Sequence, residues 1–205
     1  MKPKWWEKSK KYLSKKDKVM KRLIKSYKGN LTSRNNFFYS LTRSIISQQI
    51  SVSAADSVFS KFQKKCRGKI KPKTVSKLSI SDLRKCGLSR MKAIGIKSLA
   101  EKILNKSFNP KLIKNMSDEE AIVYLSSLRQ IGRWSSEMVL IFFYNRPNIW
   151  PVQDIGLLRA ISNNYKKKYL PPMSFVNKLK KKFSPYCTLA VMALWYSVDN
   201  EPVQY

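Results

Sequence analysis

Leu125-Ser126-Ser127-Leu128-Arg129-Gln130-Ile131-Gly132-Arg133-Trp134-Ser135-Ser136 joins two apolar-periodic segments. Upstream, Ser117-Asp118-Glu119-Glu120 fits a capping box, with serine at N-cap and Glu120 at N3, and opens a helix through Ile122, Leu125 and Leu128. Downstream, Met138-Val139-Leu140-Ile141-Phe142-Phe143-Tyr144 is apolar on every side, which predicts a buried central helix stopped by Asn145-Arg146-Pro147. Between them the chain turns tightly at Ile131-Gly132. Gly132 permits a positive φ and a close approach to another chain, and the N–H groups that start the next helix form an anion site suited to a phosphate. Taken alone, the stretch also fits an ordinary glycine-containing corner between two helices.

The helical pattern extends outward on both sides. Phe37, Phe38, Leu41, Ile45 and Ile46 share one stripe, Gln48-Gln49-Ile50-Ser51 breaks it, and Val52, Ala55, Val58, Phe59 and Phe62 resume it. Ser81 to Cys86 reads as a short helix that Gly87 closes in a left-handed conformation, and Ser89 starts the next, with Ile94, Leu99 and Ile103 apolar. Pro151 precedes a helix starting near Asp154, and Pro171-Pro172 and Pro185 punctuate two more. No alternating strand pattern with hairpin turns is present, so the expected fold is all-α. Residues 4 to 24, with Trp5, Trp6, Leu13, Val19 and Leu23, fit either packing on the core or lying on a polyanion.

The chain has 205 residues and a formal charge of +30, with no histidine and three cysteines. At roughly 100–200 residues per domain this is one domain or two small lobes. The charge favours DNA, RNA or an acidic membrane surface, although a codon bias toward lysine would raise it too. The absence of histidine excludes His-dependent triads and metal sites. Cys66, Cys86 and Cys187 form no C-x-x-C pair, so neither a disulfide framework nor a zinc or iron–sulfur site is expected. No apolar run reaches the ~18 residues of a membrane span, and residues 1–30 show no signal peptide, so the expected location is cytoplasmic, on the nucleoid in a bacterium or archaeon.

Asp154 follows Gly132 by 22 residues, in Asn148-Ile149-Trp150-Pro151-Val152-Gln153-Asp154. The order Gly132, Pro151, Asp154 resembles the helix-hairpin-helix Gly/Pro/Asp DNA glycosylases, and most closely their 3-methyladenine DNA glycosylase II type. Three more segments are similar to that family: Arg43-Ser44-Ile45-Ile46-Ser47-Gln48-Gln49-Ile50-Ser51; Leu83 to Ala93 around Gly87-Leu88-Ser89; and Ser184-Pro185-Tyr186-Cys187-Thr188-Leu189-Ala190 with Leu194-Trp195. The likeness runs from about Phe37 to Trp195. The chain departs from the pattern at Gln130, where the family has the first hairpin glycine, at Trp134-Ser135-Ser136 for W-T-A, and at Cys187 for arginine.

The resemblance implies two helical lobes, a central one over about 45–148 and one built from about 1–44 plus 149–205, with the hairpin and Asp154 at the cleft. It implies a monomeric, monofunctional enzyme that flips alkylated purines of the 3-methyladenine and 7-methylguanine type out of duplex DNA and hydrolyses them off. Asp154 would be the catalytic carboxylate. Its other reading is a plain helix N-cap, and the two roles are compatible. Lyase-competent relatives carry lysine where this chain has Trp134, so an abasic site without strand cleavage is expected. Trp134, Phe38, Trp150, Phe183 and Tyr186 are the candidate base pocket; each also reads as a core aromatic. Gln48, Gln49 and Ile50 occupy the position of a wedge, and Gln130, Ile131, Gly132, Arg133, Ser135, Arg90 and Lys92 are candidate DNA contacts. No cofactor is expected beyond a candidate Na+ or K+ on the carbonyls of Ser126, Leu128 and Ile131. Excision of deaminated or oxidised bases, a non-catalytic DNA-binding module and a membrane-surface protein are the competing readings.

Overall fold

The computed structural model describes residues 2–31 and 36–199. Among them every regular element is helical: α1 (Trp6–Lys16), α2 (Lys18–Ser26), α3 (Phe37–Ser47), α4 (Val52–Lys65), α5 (Pro72–Val75), α6 (Ile80–Lys85), α7 (Arg90–Leu104), a 3-10 turn (Pro110–Asn115), α8 (Asp118–Ser126), α9 (Arg133–Phe142), α10 (Ile155–Tyr165), α11 (Met173–Phe183) and α12 (Cys187–Asp199). The starts are chemically marked. Ser51, Ser79, Ser89, Ser117 and Asp154 each accept a backbone N–H as N-caps, and Ser79 and Ser117 form capping boxes with Asp82 and Glu120. Gly87 ends the α6 turn at φ +98°, the left-handed closure that its sequence position predicts.

The described residues form two compact units, one from Met1–Ser33 with Leu140–Gln204 and one from Arg34–Val139. The sequence reading put these divisions near 45 and 148. The first falls earlier because α3 packs on α4 and α7, which draws Phe37–Ser47 into the hairpin-bearing unit, and the second falls within α9, between Val139 and Leu140. In that unit Phe38, Leu41, Ile45 and Ile46 of α3 are buried, and Phe37 stacks on Phe108, which stacks on Tyr124 of α8 at 4.6 Å. The second unit is centred on α12, whose residues Cys187 to Trp195 are all buried and which packs against α1, α2, α10 and α11.

The basic N-terminal segment is part of this second core. Trp6, Leu13 and Met20 are at most 1% exposed, and each buried side chain of that size contributes about 1.5–3 kcal/mol. Trp5 donates its indole N–H to the Asn145 carbonyl at 2.9 Å, and Tyr12 donates its hydroxyl to that of Ser184. Asp17 caps α2 and takes hydrogen bonds from Lys182 (2.6 Å) and Tyr165 (3.0 Å). Burial works to raise the Asp17 carboxyl, but Lys182, the Met20 N–H and Tyr165 outweigh it and hold it below the ordinary value of 3.8. All three cysteines are buried thiols, and burial pushes Cys66 up to about 11 and Cys187 up to about 12, which removes them as nucleophiles near neutral pH.

Candidate functional site

Within the Arg34–Val139 unit, the end of α3 and the hairpin between α8 and α9 meet at a pocket of about 520 Å³. Ser44, Ser47, Gln48, Gln49, Gln130, Gly132, Trp134 and Ser135 line it, so it is polar with one aromatic wall. Gln48 makes the connection: its amide nitrogen donates to the Gln130 carbonyl at 2.9 Å and to Ser135 Oγ at 3.2 Å. The turn after α3 sets Gln49 at φ +58° and leaves Gln49 and Ile50 exposed, as residues of a wedge would be. Gln48, tied back to the hairpin, holds that turn in place.

The hairpin differs from its sequence reading in one respect. The positive φ falls on Gln130, at +67°, and not on Gly132. A non-glycine residue in that region carries about 1–2 kcal/mol of strain, and the chain offsets it locally. Gly95 of α7 lets the hairpin approach so closely that a Cβ there would stand 2.8 Å from Gln130 Cγ and 3.2 Å from the Arg129 carbonyl. A Cβ on Gly132 would meet nothing within 4 Å, so Gly132 presents open backbone to whatever docks. The first helical bond of α9 runs from Ser136 N–H to Gly132, which places the N–H groups ahead of it at the positive end of the helix dipole.

Two expected phosphate contacts have other partners. Lys92 Nζ donates to the carbonyls of Ile46 (2.9 Å) and Gln48 (2.6 Å), capping the end of α3, and burial lowers its ordinary pKa. Arg133 grips Glu119 through both terminal nitrogens and reaches the buried Glu137 at 3.4 Å through Nε. Arg90, at the start of α7, is exposed, while Ile131 is buried beneath the hairpin. Ser126 and Ser136 share a hydroxyl contact at 3.1 Å that closes α8 onto α9.

Asp154 lies in the other unit. Its backbone precedes α10, and Oδ1 accepts from Leu157 N–H at 2.6 Å and from the indole N–H of Trp195 at 2.8 Å. The first bond is the N-cap that its sequence position predicts; the second is charge-assisted and aims the carboxylate. Trp195 is itself fixed, 5% exposed and stacked on Phe142. Gly156 leaves the room: a Cβ there would stand 3.2 Å from Asp154 Oδ1 and 3.5 Å from the Trp195 ring. The loop leading to Asp154 is pinned by Thr188, which donates to the Arg146 carbonyl and accepts from Ile149 N–H.

The aromatics expected around the base are divided between the two units. Trp134 lines the hairpin pocket. Phe38, Trp150 and Phe183 are at most 4% exposed and fill the cores of their own units, with Trp150 edge-on to Phe183 at 6.0 Å. Tyr186 packs edge-on against Tyr12. For Phe38, Trp150 and Phe183 the apolar periodicity already favoured a core position, and all three are buried. Trp195 and Gly95 were missed. Trp195 stood inside a matched segment as one more apolar residue, and Gly95 carried a readable signal, an isolated glycine in a helix interior.

Comparison with known proteins identifies the family. Residues 42–185 match the model of the HhH-GPD superfamily of base excision DNA repair proteins. The chain is 33% identical over 159 residues to the alkylbase DNA glycosidase-like protein mag2 of Schizosaccharomyces pombe, covering 76% of this chain and 75% of that one. It is 30% identical over 191 residues to DNA-3-methyladenine glycosylase 1 of the same organism, covering 90% and 84%. The solved structure of the 3-methyladenine DNA glycosylase Mag1 of Schizosaccharomyces pombe in complex with abasic DNA superposes with a TM-score of 0.81 at 28% identity, covering 97% of this chain and all of that one.

Proposed function

We propose, for a chain that belongs to the HhH-GPD superfamily of base excision DNA repair proteins, hydrolytic release of alkylated purines from duplex DNA by a monomeric enzyme that leaves the strand intact. The protein is a DNA-3-methyladenine glycosylase-like N-glycosyl hydrolase. The observation that carries the reading is Asp154, a carboxylate held at a helix N-terminus by an amide and an indole N–H.

In this reaction the C1′–N bond breaks and the cationic alkylated base departs neutral with the bonding electrons. Positive charge develops on the sugar, where a preorganised carboxylate stabilises it. Water then adds at C1′ and its proton passes to Asp154 or to solvent. An alkylated base needs little acid assistance as a leaving group, which suits a chain without histidine. Trp134 stands where a lyase would carry its amine, so no Schiff base forms and the product is an abasic site. Its ring face suits an electron-poor base, through stacking and a cation–π attraction. Gly132 and the start of α9 take a phosphate, and Gln49 and Ile50 enter the duplex in place of the extruded nucleotide.

A monovalent cation on the carbonyls of Ser126, Leu128 and Ile131 belongs to the same proposal and would add positive charge toward that phosphate. The Leu128 carbonyl accepts from Ile131 N–H at 3.2 Å, which leaves its second lone pair for an ion.

Base release from methylated duplex DNA tests the reading. Release of 3-methyladenine or 7-methylguanine with alkali-labile but uncut strands is the expected result. Strands cut without alkali would overturn the monofunctional part, and release of only uracil, hypoxanthine or oxidised bases would overturn the substrate class.

A further inference from the structure

Acids answer only part of the +30 charge, and on two helices the unanswered lysines stand in rows. On α1 the buried row is Trp6, Ser9 and Leu13, and Lys8, Lys11 and Lys15 lie exposed at helical spacing on the other side. On α2 the buried row is Met20 and Leu23, and Lys18, Lys21 and Lys25 repeat the arrangement. The two helices pack on each other and on α12. Among the described residues these six lysines meet no carboxylate; Glu7 pairs with Lys10, and Asp17 pairs with Lys182. Like charges three and four residues apart on a helix repel each other, and a polyanion lying across the rows would relieve that repulsion.

We infer that the lysine rows of α1 and α2 form a second DNA-binding face, which holds undamaged duplex through its phosphates and reads no base. Duplex DNA is the occupant that fits. It presents about one charge per 1.7 Å of axis, and Lys8 to Lys15 spans roughly 10 Å of helix, so one row faces several phosphates. An acidic membrane would also attract the charge, but an interfacial helix needs a free apolar face. Here that face is occupied: Trp6, Leu13, Met20 and Leu23 are all buried. Such a face keeps the enzyme on DNA between lesions through contacts that lengthen residence without altering the chemistry. The inference rests on the glycosylase reading for its purpose but not for its geometry.

The test compares the wild type with two triple variants, Lys8→Gln/Lys11→Gln/Lys15→Gln and Lys18→Gln/Lys21→Gln/Lys25→Gln. Glutamine keeps helix propensity and removes only charge, so an unchanged or higher Tm verifies the fold. Each triple should weaken binding to a long undamaged duplex about tenfold at low salt and flatten the log–log salt slope by about 2–3. Single-turnover base release from a short lesion duplex at saturating enzyme should stay the same. An unchanged affinity and slope would reduce the rows to solvated faces and overturn the inference. An equal loss on the short duplex would make them part of the lesion footprint and overturn it as a second face. Binding of the wild type to anionic lipid vesicles but not to duplex would also overturn it. A wild type that releases no base, with variants that still lose duplex affinity, would sink the glycosylase reading and leave this one standing.

Discussion

The two units differ in where their acidic residues stand. In Arg34–Val139, Asp56 pairs with Arg43, Asp82 with Lys65, Glu101 with Lys97, and Glu119 and Glu137 with Arg133, while Glu120 closes its own capping box. In the unit built from both chain ends, Glu7 and Asp17 answer one lysine each, and Asp154 takes an amide and an indole N–H. One unit sets two carboxylates, Glu119 and Glu137, on the arginine that opens α9 after the hairpin. The other fixes the Asp154 carboxylate between a backbone amide and an indole N–H, and leaves the lysine rows of α1 and α2 without acids among the described residues. A charge of either sign therefore means different things in the two halves of one small protein.

The sharpest way to break this contrast is Asp154→Asn. Asparagine still caps α10, so Tm should move little, while base release should fall by about 10²–10³ or more, as when a preorganised electrostatic group is removed from an active site. Retained activity would reduce Asp154 to a cap. Trp195→Phe keeps the stacked ring and deletes the N–H. Loss of one charge-assisted hydrogen bond corresponds to about tenfold, and it should appear in kcat with KM unchanged; a fall in KM-dependent binding alone would contradict the aiming role.

In the hairpin unit the corresponding lesion is structural. Lys92→Met uncaps the Ile46 and Gln48 carbonyls and should cost about 1–2 kcal/mol, read as a Tm lower by several degrees with weaker DNA binding. Asp17→Asn probes the unit built from both chain ends through pH. Because the Asp17 carboxyl is held below 3.8 in the fold, the stability it contributes is present above that value and is lost as pH falls through the folded-state pKa. The variant should be less stable than wild type near neutral pH and converge with it in acid; parallel acid-unfolding curves would contradict the assignment. The smallest effect belongs to Gln130→Gly, where relief of a left-handed conformation is partly cancelled by glycine's added freedom in the unfolded chain, leaving a gain of about 0–1 kcal/mol.

Most of the architecture was legible. Serine caps at 89 and 117 and the left-handed Gly87 are local signals, written by residues close in sequence, and the helices begin and end where those signals stand; the apolar stretch from Met138 is buried as read, but its helix stops at Phe142, with Phe143 and Tyr144 in a half-buried turn ahead of Asn145-Arg146-Pro147. The hairpin's location was equally clear, but its geometry was not. Whether Gly132 or Gln130 takes the positive φ depends on α7, which accepts the hairpin at Gly95, more than thirty residues away. The aromatic residues were the least legible, because Trp134, Phe38, Trp150 and Phe183 look alike as apolar letters in a helical pattern.

By itself, then, the sequence determined an all-helical chain, its family, the position of Asp154 and a tryptophan at 134, two residues after the hairpin glycine, since each depends on residue identity and short-range spacing. Only the tertiary structure decided that Trp195 aims Asp154, that Lys92 and Arg133 serve the protein's own backbone and acids, and that the N-terminal helices turn their aromatics inward and their lysines out. Those outcomes rest on which distant groups share a contact, and a hydrogen bond between residues forty positions apart leaves no periodicity behind it.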